Sequence, residues 1–197
     1  LYSLDFEPVE TLQAQGEWSK LAAVMIDAAR RLKRAGADFI VICTNTMHKL
    51  AEEVMAAVDI PLLHIADATA RVLIKENIKK AGLLGTAYTM EQPFYRQRLT
   101  HGHGLDVLIP GEKERAEVHR IIYDELCRGE ILAESKQAYI DIAGRMAEDG
   151  AEAIILGCTE IGLLLKQEDT KVPLYDTTLI HARKAVEWSL GEACSST

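Results

Sequence analysis

The chain has no long apolar run. Nowhere in its 197 residues is there a stretch approaching the ~18 uninterrupted apolar residues of a membrane-spanning helix, which argues against a membrane. Cysteine is scarce: Cys43, Cys127, Cys158 and Cys194 are widely spaced, and no CxxC occurs. That excludes a disulfide framework and disfavours a dithiol redox or metal centre. Reduced thiols are the expectation, and with them a cytoplasmic location. Positive charge is also short. Lys and Arg number 22 against 30 Asp and Glu, a net charge of −8 with no basic stripe, which argues against nucleic acid as a partner.

What is present is a globular composition, 48% apolar and 26% charged, in a chain long enough for one large or two small domains. Two stretches share one pattern. Val41-Ile42-Cys43-Thr44-Asn45-Thr46-Met47-His48 and Ile155-Leu156-Gly157-Cys158-Thr159-Glu160-Ile161-Gly162 each run from apolar, strand-like residues into Cys-Thr and a polar residue. Each is answered downstream by Pro-Leu and a short strand, Pro61–Asp67 and Pro173–Asp176. After each comes an Asp/Thr cluster that opens a helix, at Asp67 and at Asp176. The halves read as diverged copies of one unit.

In chain order, Leu1–Phe6 reads as a strand and Glu7–Gly16 as a polar loop. Trp18, Leu21, Ala22, Met25, Ile26, Ala29 and Leu32 follow helical spacing, with Gly36 just past the end. Asp38–Cys43 is too apolar to alternate, as expected of a strand covered on both faces, and Thr44 or Asn45 can cap the helix that follows. Further strands are expected at 61–65, 79–85, 105–110, 152–157 and 172–175. Helices are expected at 67–78, from Pro93, and at 113–127, 133–148 and 177–190; His101-Gly102-His103-Gly104 reads as a turn. Alternating strands and helices indicate βαβ units and parallel sheets, in which ligands bind beyond the strands' carboxyl ends. Cys43, Thr86 and Cys158 all fall at such ends.

Two thiols delivered to opposite faces of one carbon could invert a stereocentre: one removes a proton and the other returns it. Both cysteines precede expected helix starts, where the dipole would favour thiolate. Thr44, Asn45, Thr46 and Thr159 supply hydroxyls, an amide and backbone N–H groups for a carboxylate, and Thr86 offers a third cradle. A lone cysteine at a strand end is usually a small buried residue; the repeated Cys-Thr context is what moves Cys43 and Cys158 toward chemistry. Cys127 and Cys194 read as structural or incidental. His48 and His181 read equally as site or scaffold, and His101 with His103 lacks a third metal ligand nearby.

The paired Cys-Thr stretches resemble the aspartate/glutamate racemase family, particularly its bacterial broad-specificity and L-aspartate/glutamate-specific members. Gln13–Trp18, His64–Thr69, Leu84–Gln92 and Tyr175–Thr177 support this, and the similarity spans essentially the whole chain. The resemblance implies two similar parallel-sheet α/β domains related by a pseudo-twofold, with the site in the cleft between them. Residues 1–76 plus 177–197 would form the first domain and 77–176 the second. It implies a homodimer acting on a small amino acid, with no cofactor and no metal. Cys43 and Cys158 would be the acid/base thiols, Thr44, Asn45, Thr46 and Thr159 would hold the substrate's polar groups, and Gln13 would contact a distal carboxylate. Family members begin with a strand and a Gly-Gly-Met-Ser-type loop that this chain does not match, so its first sheet is expected to lack one βα unit. Some members also carry a lysine where this chain has Cys127. The alternatives are an inactive ligand-binding or dimerisation relative, or a one-thiol relative such as a decarboxylase, a dicarboxylate isomerase or a hydantoin racemase.

Overall fold

The computed structural model describes residues 1–191, so Cys194 lies outside the described residues. The chain forms two compact units, Leu1–Ile42 with Met47–His64, and Cys43–Thr46 with the chain from Ile65 onward. Both are α/β with parallel strands.

The first unit holds α1 (Phe6–Ala14), α2 (Trp18–Arg34), β1 (Ile40–Val41), all but the first residue of a 3-10 turn (Thr46–Leu50), α3 (Ala51–Ala57) and β2 (Leu62–Leu63). Two expectations fail at its start. Leu1–Phe6 forms no strand, and Leu1, Tyr2, Leu4 and Phe6 are exposed. The expected polar loop is helix α1. Pro8 falls in its first turn, where a missing N–H costs nothing, and Val9 and Leu12 pack on the core at helical spacing. Helix α2 behaves as its periodicity requires, burying Leu21, Ala28 and Ala29. The expected strand at 38–43 contracts to Ile40–Val41, because β2 offers only two residues to pair with.

The second unit runs α4 (Ile65–Lys75), β3 (Lys80–Gly85), α5 (Ala87–Glu91), α6 (Pro93–His103), β4 (Asp106–Leu108) and α7 (Glu112–Asp124), then a 3-10 turn (Leu126–Arg128). It continues with α8 (Ala133–Glu148), β5 (Ala153–Gly157), α9 (Ile161–Leu164), a 3-10 turn (Gln167–Asp169), β6 (Leu174–Asp176) and α10 (Thr177–Ser189). Its sheet has the order β4-β3-β5-β6. β5 is buried at every position and β3 at all but its first, which is why neither alternates in sequence. The expected His101–Gly104 turn is instead the end of α6. The Asp67 carboxylate on α4 takes a bidentate bond from Arg98 (2.6 and 2.7 Å) and one from His103 (2.9 Å), holding that last turn helical as far as Gly104. Cys127 lies in the 3-10 turn rather than in α7. Helices α4 and α10 pack on one another within this unit.

The repeated pattern is legible in the ladders. Ile40 donates to Pro61 O and Ile154 to Pro173 O, both at 2.8 Å. The registers match, Ile40 opposite Leu62 and Ile154 opposite Leu174. Counting from that bond, however, Cys43 is three residues on and Cys158 four. The copies therefore differ by one residue at the cysteine, Gly157 being the extra one.

Gly85 and Gly157 stand opposite one another where β3 and β5 end. A Cβ on Gly85 would meet Gly157 O at 2.8 Å, and one on Gly157 would meet Leu84 O at 2.9 Å. Their bareness makes room for Thr89, whose side chain lies 3.3 Å from the first of these positions and 3.5 Å from the second. Gly157→Ala must therefore push backbone at Leu84 O as well as the Leu83 side chain, whose Cδ1 it would meet at 2.8 Å. We expect a loss of about 1–3 kcal/mol, read as a lower urea midpoint by circular dichroism with an unchanged slope.

Candidate functional site

Three adjacent strands of the second unit end in polar residues: Thr86 follows β3, Cys158 follows β5, and Thr177 follows β6. Segment Cys43–Thr46 joins this edge. Thr46 Oγ1 meets Thr86 Oγ1 at 3.0 Å and Thr89 Oγ1 at 3.5 Å. Thr86 caps α5, accepting the Thr89 N–H at 3.3 Å. Asn45 Nδ2 donates to Thr177 Oγ1 at 3.0 Å, and that hydroxyl donates to Leu156 O at 2.8 Å. Because the single hydroxyl proton is committed to Leu156, the amide must offer its nitrogen to Thr177, which fixes its orientation. Asn45 is 2% exposed, and its Oδ1 is enclosed without a hydrogen-bond partner. It is an acceptor that a ligand N–H or ammonium would satisfy.

These bonds bring the two Cys-Thr stretches to one sheet edge. Asn45, two residues past Cys43, is tied through Thr177 to Leu156, two residues before Cys158. The thiols differ in setting: Cys43 is exposed and Cys158 half-buried. Cys158 Sγ donates to Glu160 Oε2 at 3.0 Å. Burial, and after it the Glu160 carboxylate, push the Cys158 thiol well above its ordinary range; a backbone N–H of Glu160 acts weakly the other way. This corrects the expectation that helix starts favour thiolate at both positions. α9 is a single turn of four residues and supplies little dipole, while a carboxylate two residues away outweighs it. Neither Thr44 nor Asn45 caps α3, whose N-cap is Leu50, because the 3-10 turn intervenes.

The other expected residues divide. Thr86 and Thr46 are buried and mutually bonded. Thr44 and Thr159 are half-buried, and Thr159 makes no side-chain hydrogen bond among the described residues. Gln13, in the first unit, is buried and donates to Met47 Sδ at 3.1 Å. His48 and His64, also in the first unit, are buried with ring centroids 4.4 Å apart. His181 is buried on α10. Sequence reasoning missed Glu160 as the thiol's partner, although it stands inside the second Cys-Thr stretch. It also missed Thr177 as the anchor of Asn45. Replacing Glu160 by Gln removes a charge that favours the protonated thiol. We expect Glu160→Gln to lower the Cys158 pKa, seen as faster Cys158 alkylation by iodoacetamide at mildly alkaline pH in peptide mass spectra.

Known proteins match along this same framework. The model of the family described as Asp/Glu/hydantoin racemase matches residues 1–185. A solved structure from Yersinia pestis, provisionally assigned as an Asp/Glu racemase, is 52% identical with a TM-score of 0.89, covering 96% of this chain and 83% of its own. An aspartate racemase homologue from Pyrococcus horikoshii OT3 is 36% identical with a TM-score of 0.82, covering 96% and 82%. The broad specificity amino-acid racemase RacX of Bacillus subtilis (strain 168) is 28% identical over 167 residues, 85% of this chain and 71% of RacX.

Proposed function

From the premise that this chain belongs to the Asp/Glu/hydantoin racemase family, we propose that it interconverts the L- and D-forms of an amino acid, aspartate or glutamate. On this reading Cys43 and Cys158 are the two acid/base thiols, and neither pyridoxal phosphate nor a metal takes part. The observation that carries it is the docking of Cys43–Thr46 on the strand ends that also present Cys158, through Thr46–Thr86 and Asn45–Thr177.

The unequal thiols give the resting state a direction. Cys158, held protonated by burial and Glu160, is the resting acid. Exposed Cys43 is the base in that form. Its thiolate takes the Cα proton, negative charge develops at the carbon beside the carboxylate, and Cys158 delivers its proton to the opposite face. Turnover leaves Cys43 protonated and Cys158 as thiolate, the form that runs the reverse direction. Before the next turnover in the same direction, exposed Cys43 gives its proton to water and Cys158 takes one up from water by way of the Glu160 carboxylate bonded to it. Thr44, Thr159 and Thr86 are assigned to the substrate's carboxylate, and Asn45 Oδ1 to its ammonium. Gln13 as the contact for a distal carboxylate is an assignment the family resemblance alone carries. A homodimer in the cytoplasm completes the proposal.

Incubating the protein with L-aspartate or L-glutamate in D₂O, without added cofactor, should cause loss of the Cα proton signal and appearance of the D-enantiomer. Cys158→Ala should slow racemisation by about 10²–10⁴-fold, as expected for removal of a positioned acid. A parental rate in Cys158→Ala, or retention of the Cα proton with both substrates, would overturn the assignment.

A further inference from the structure

His119 on α7 is absent from the mechanism above, yet it reaches into the edge that holds Cys43–Thr46. Its Nδ1 accepts the Ala87 N–H at 3.1 Å. Ala87 is the first residue of α5, and its N–H has no partner within that helix. A side chain 32 residues away supplies the acceptor. The bond also fixes the ring's state: Nδ1 is bare, so the proton of the neutral imidazole sits on Nε2. The ring is wedged between Tyr88 on α5, edge-on at 5.9 Å between centroids, and Tyr123 on α7, tilted at 4.8 Å.

Ala87 directly follows Thr86. The Thr86 hydroxyl holds Thr46, and Thr46 is the third residue after Cys43. A continuous series of contacts therefore runs from the His119 ring through Ala87, Thr86 and Thr46 to the segment bearing the exposed thiol. The bare glycines beneath Thr89 seat the other end of the same turn. Nothing else among the described residues accepts the Ala87 N–H.

We propose that neutral His119 is a positioning residue for the Cys43 side of the site, fixing the Thr86 hydroxyl that docks segment Cys43–Thr46. Its kinetic consequence rests on the racemase reading; its structural consequence does not. Protonation places a second N–H on Nδ1, which then confronts the Ala87 N–H donor to donor, and the α5 start must shift. Burial holds the His119 pKa below its ordinary value, opposed by Glu91 on α5 and Asp124 on α7. Glu91 is itself bonded to Arg115 of α7 at 2.8 Å. Among the described residues no charge from β3, α8 or the 126–128 turn acts on the ring. The folded pKa lies below the unfolded value of about 6.5. The unfolded chain therefore takes the proton first on acidification. The contribution is complete above about 6.5 and is lost as pH falls through the folded pKa.

The test uses the whole chain, ¹⁵N-labelled, as wild type, His119→Asn and His119→Phe. Asparagine keeps an acceptor near Nδ1 that does not titrate; phenylalanine keeps a ring and removes the acceptor. In the wild type, the Ala87 amide should shift as pH falls below the unfolded value of about 6.5, with the same midpoint as the His119 ring protons. That titration should vanish in His119→Asn. In racemisation assays the wild type should show an acid-side rise in KM at this midpoint, and His119→Asn should lack it. Above that midpoint His119→Phe should be impaired about three- to tenfold relative to the wild type, the scale of one neutral hydrogen bond, with the gap closing below it as the wild type loses the same bond, and His119→Asn should recover part of the loss. An Ala87 amide that ignores the His119 titration, an acid limb surviving in His119→Asn, or a folded His119→Phe with wild-type kinetics would each overturn the proposal. If the wild type racemises neither aspartate nor glutamate, the enzymatic reading fails and the amide titration alone decides the role of His119.

Discussion

Four residues must be held against the end of a sheet to which they do not belong by sequence. Segment Cys43–Thr46 leaves β1 after two paired residues and is buried at Asn45 and Thr46 among groups that water does not reach. Buried polar side chains are tolerated only when bonded, so the segment's place is dictated by where its hydroxyl and amide find partners. Thr86 and Thr177, the residues after β3 and β6, are those partners. Thr177 can serve because its own proton is spent on Leu156 O, the last carbonyl but one of β5. Losing either bond leaves a stranded polar group at a cost of roughly 1–3 kcal/mol.

That constraint explains why two copies of one pattern give unequal thiols. The ladders start alike, at Pro61 and Pro173, but the second copy runs one residue further before its cysteine. Cys158 ends up half-buried and bonded to Glu160, while Cys43 remains exposed on the docked segment. A reaction that takes a proton from one face of a carbon and returns one to the other needs an acid and a base at once. Burial and the bond to Glu160 favour the protonated form at Cys158, the acid of such a pair.

Much of the scaffold was legible because it rests on local rules. Pro93 opens α6, Gly36 follows α2 with φ at +87°, and the uninterrupted apolar runs of β3 and β5 are central strands. The family was legible from the paired Cys-Thr stretches. What escaped reading depended on distant partners. Val9 and Leu12 make α1 a helix only by finding a core to cover, and His103 stays helical because Asp67, 36 residues earlier, bonds it. Glu160 was in view, but its effect on Cys158 depends on burial that periodicity does not report. His119 carries no sequence signal, since its role exists only where α7 passes the start of α5.

The central claim is that the two thiols divide one inversion between them. The most direct measurement follows Cα–H exchange in D₂O by NMR for each enantiomer separately, in Cys43→Ser and in Cys158→Ser. The account predicts that neither variant racemises, and that each exchanges the proton of a single enantiomer, a different one in each case, with configuration retained. Exchange of the same enantiomer by both variants, or racemisation persisting in either, would contradict it.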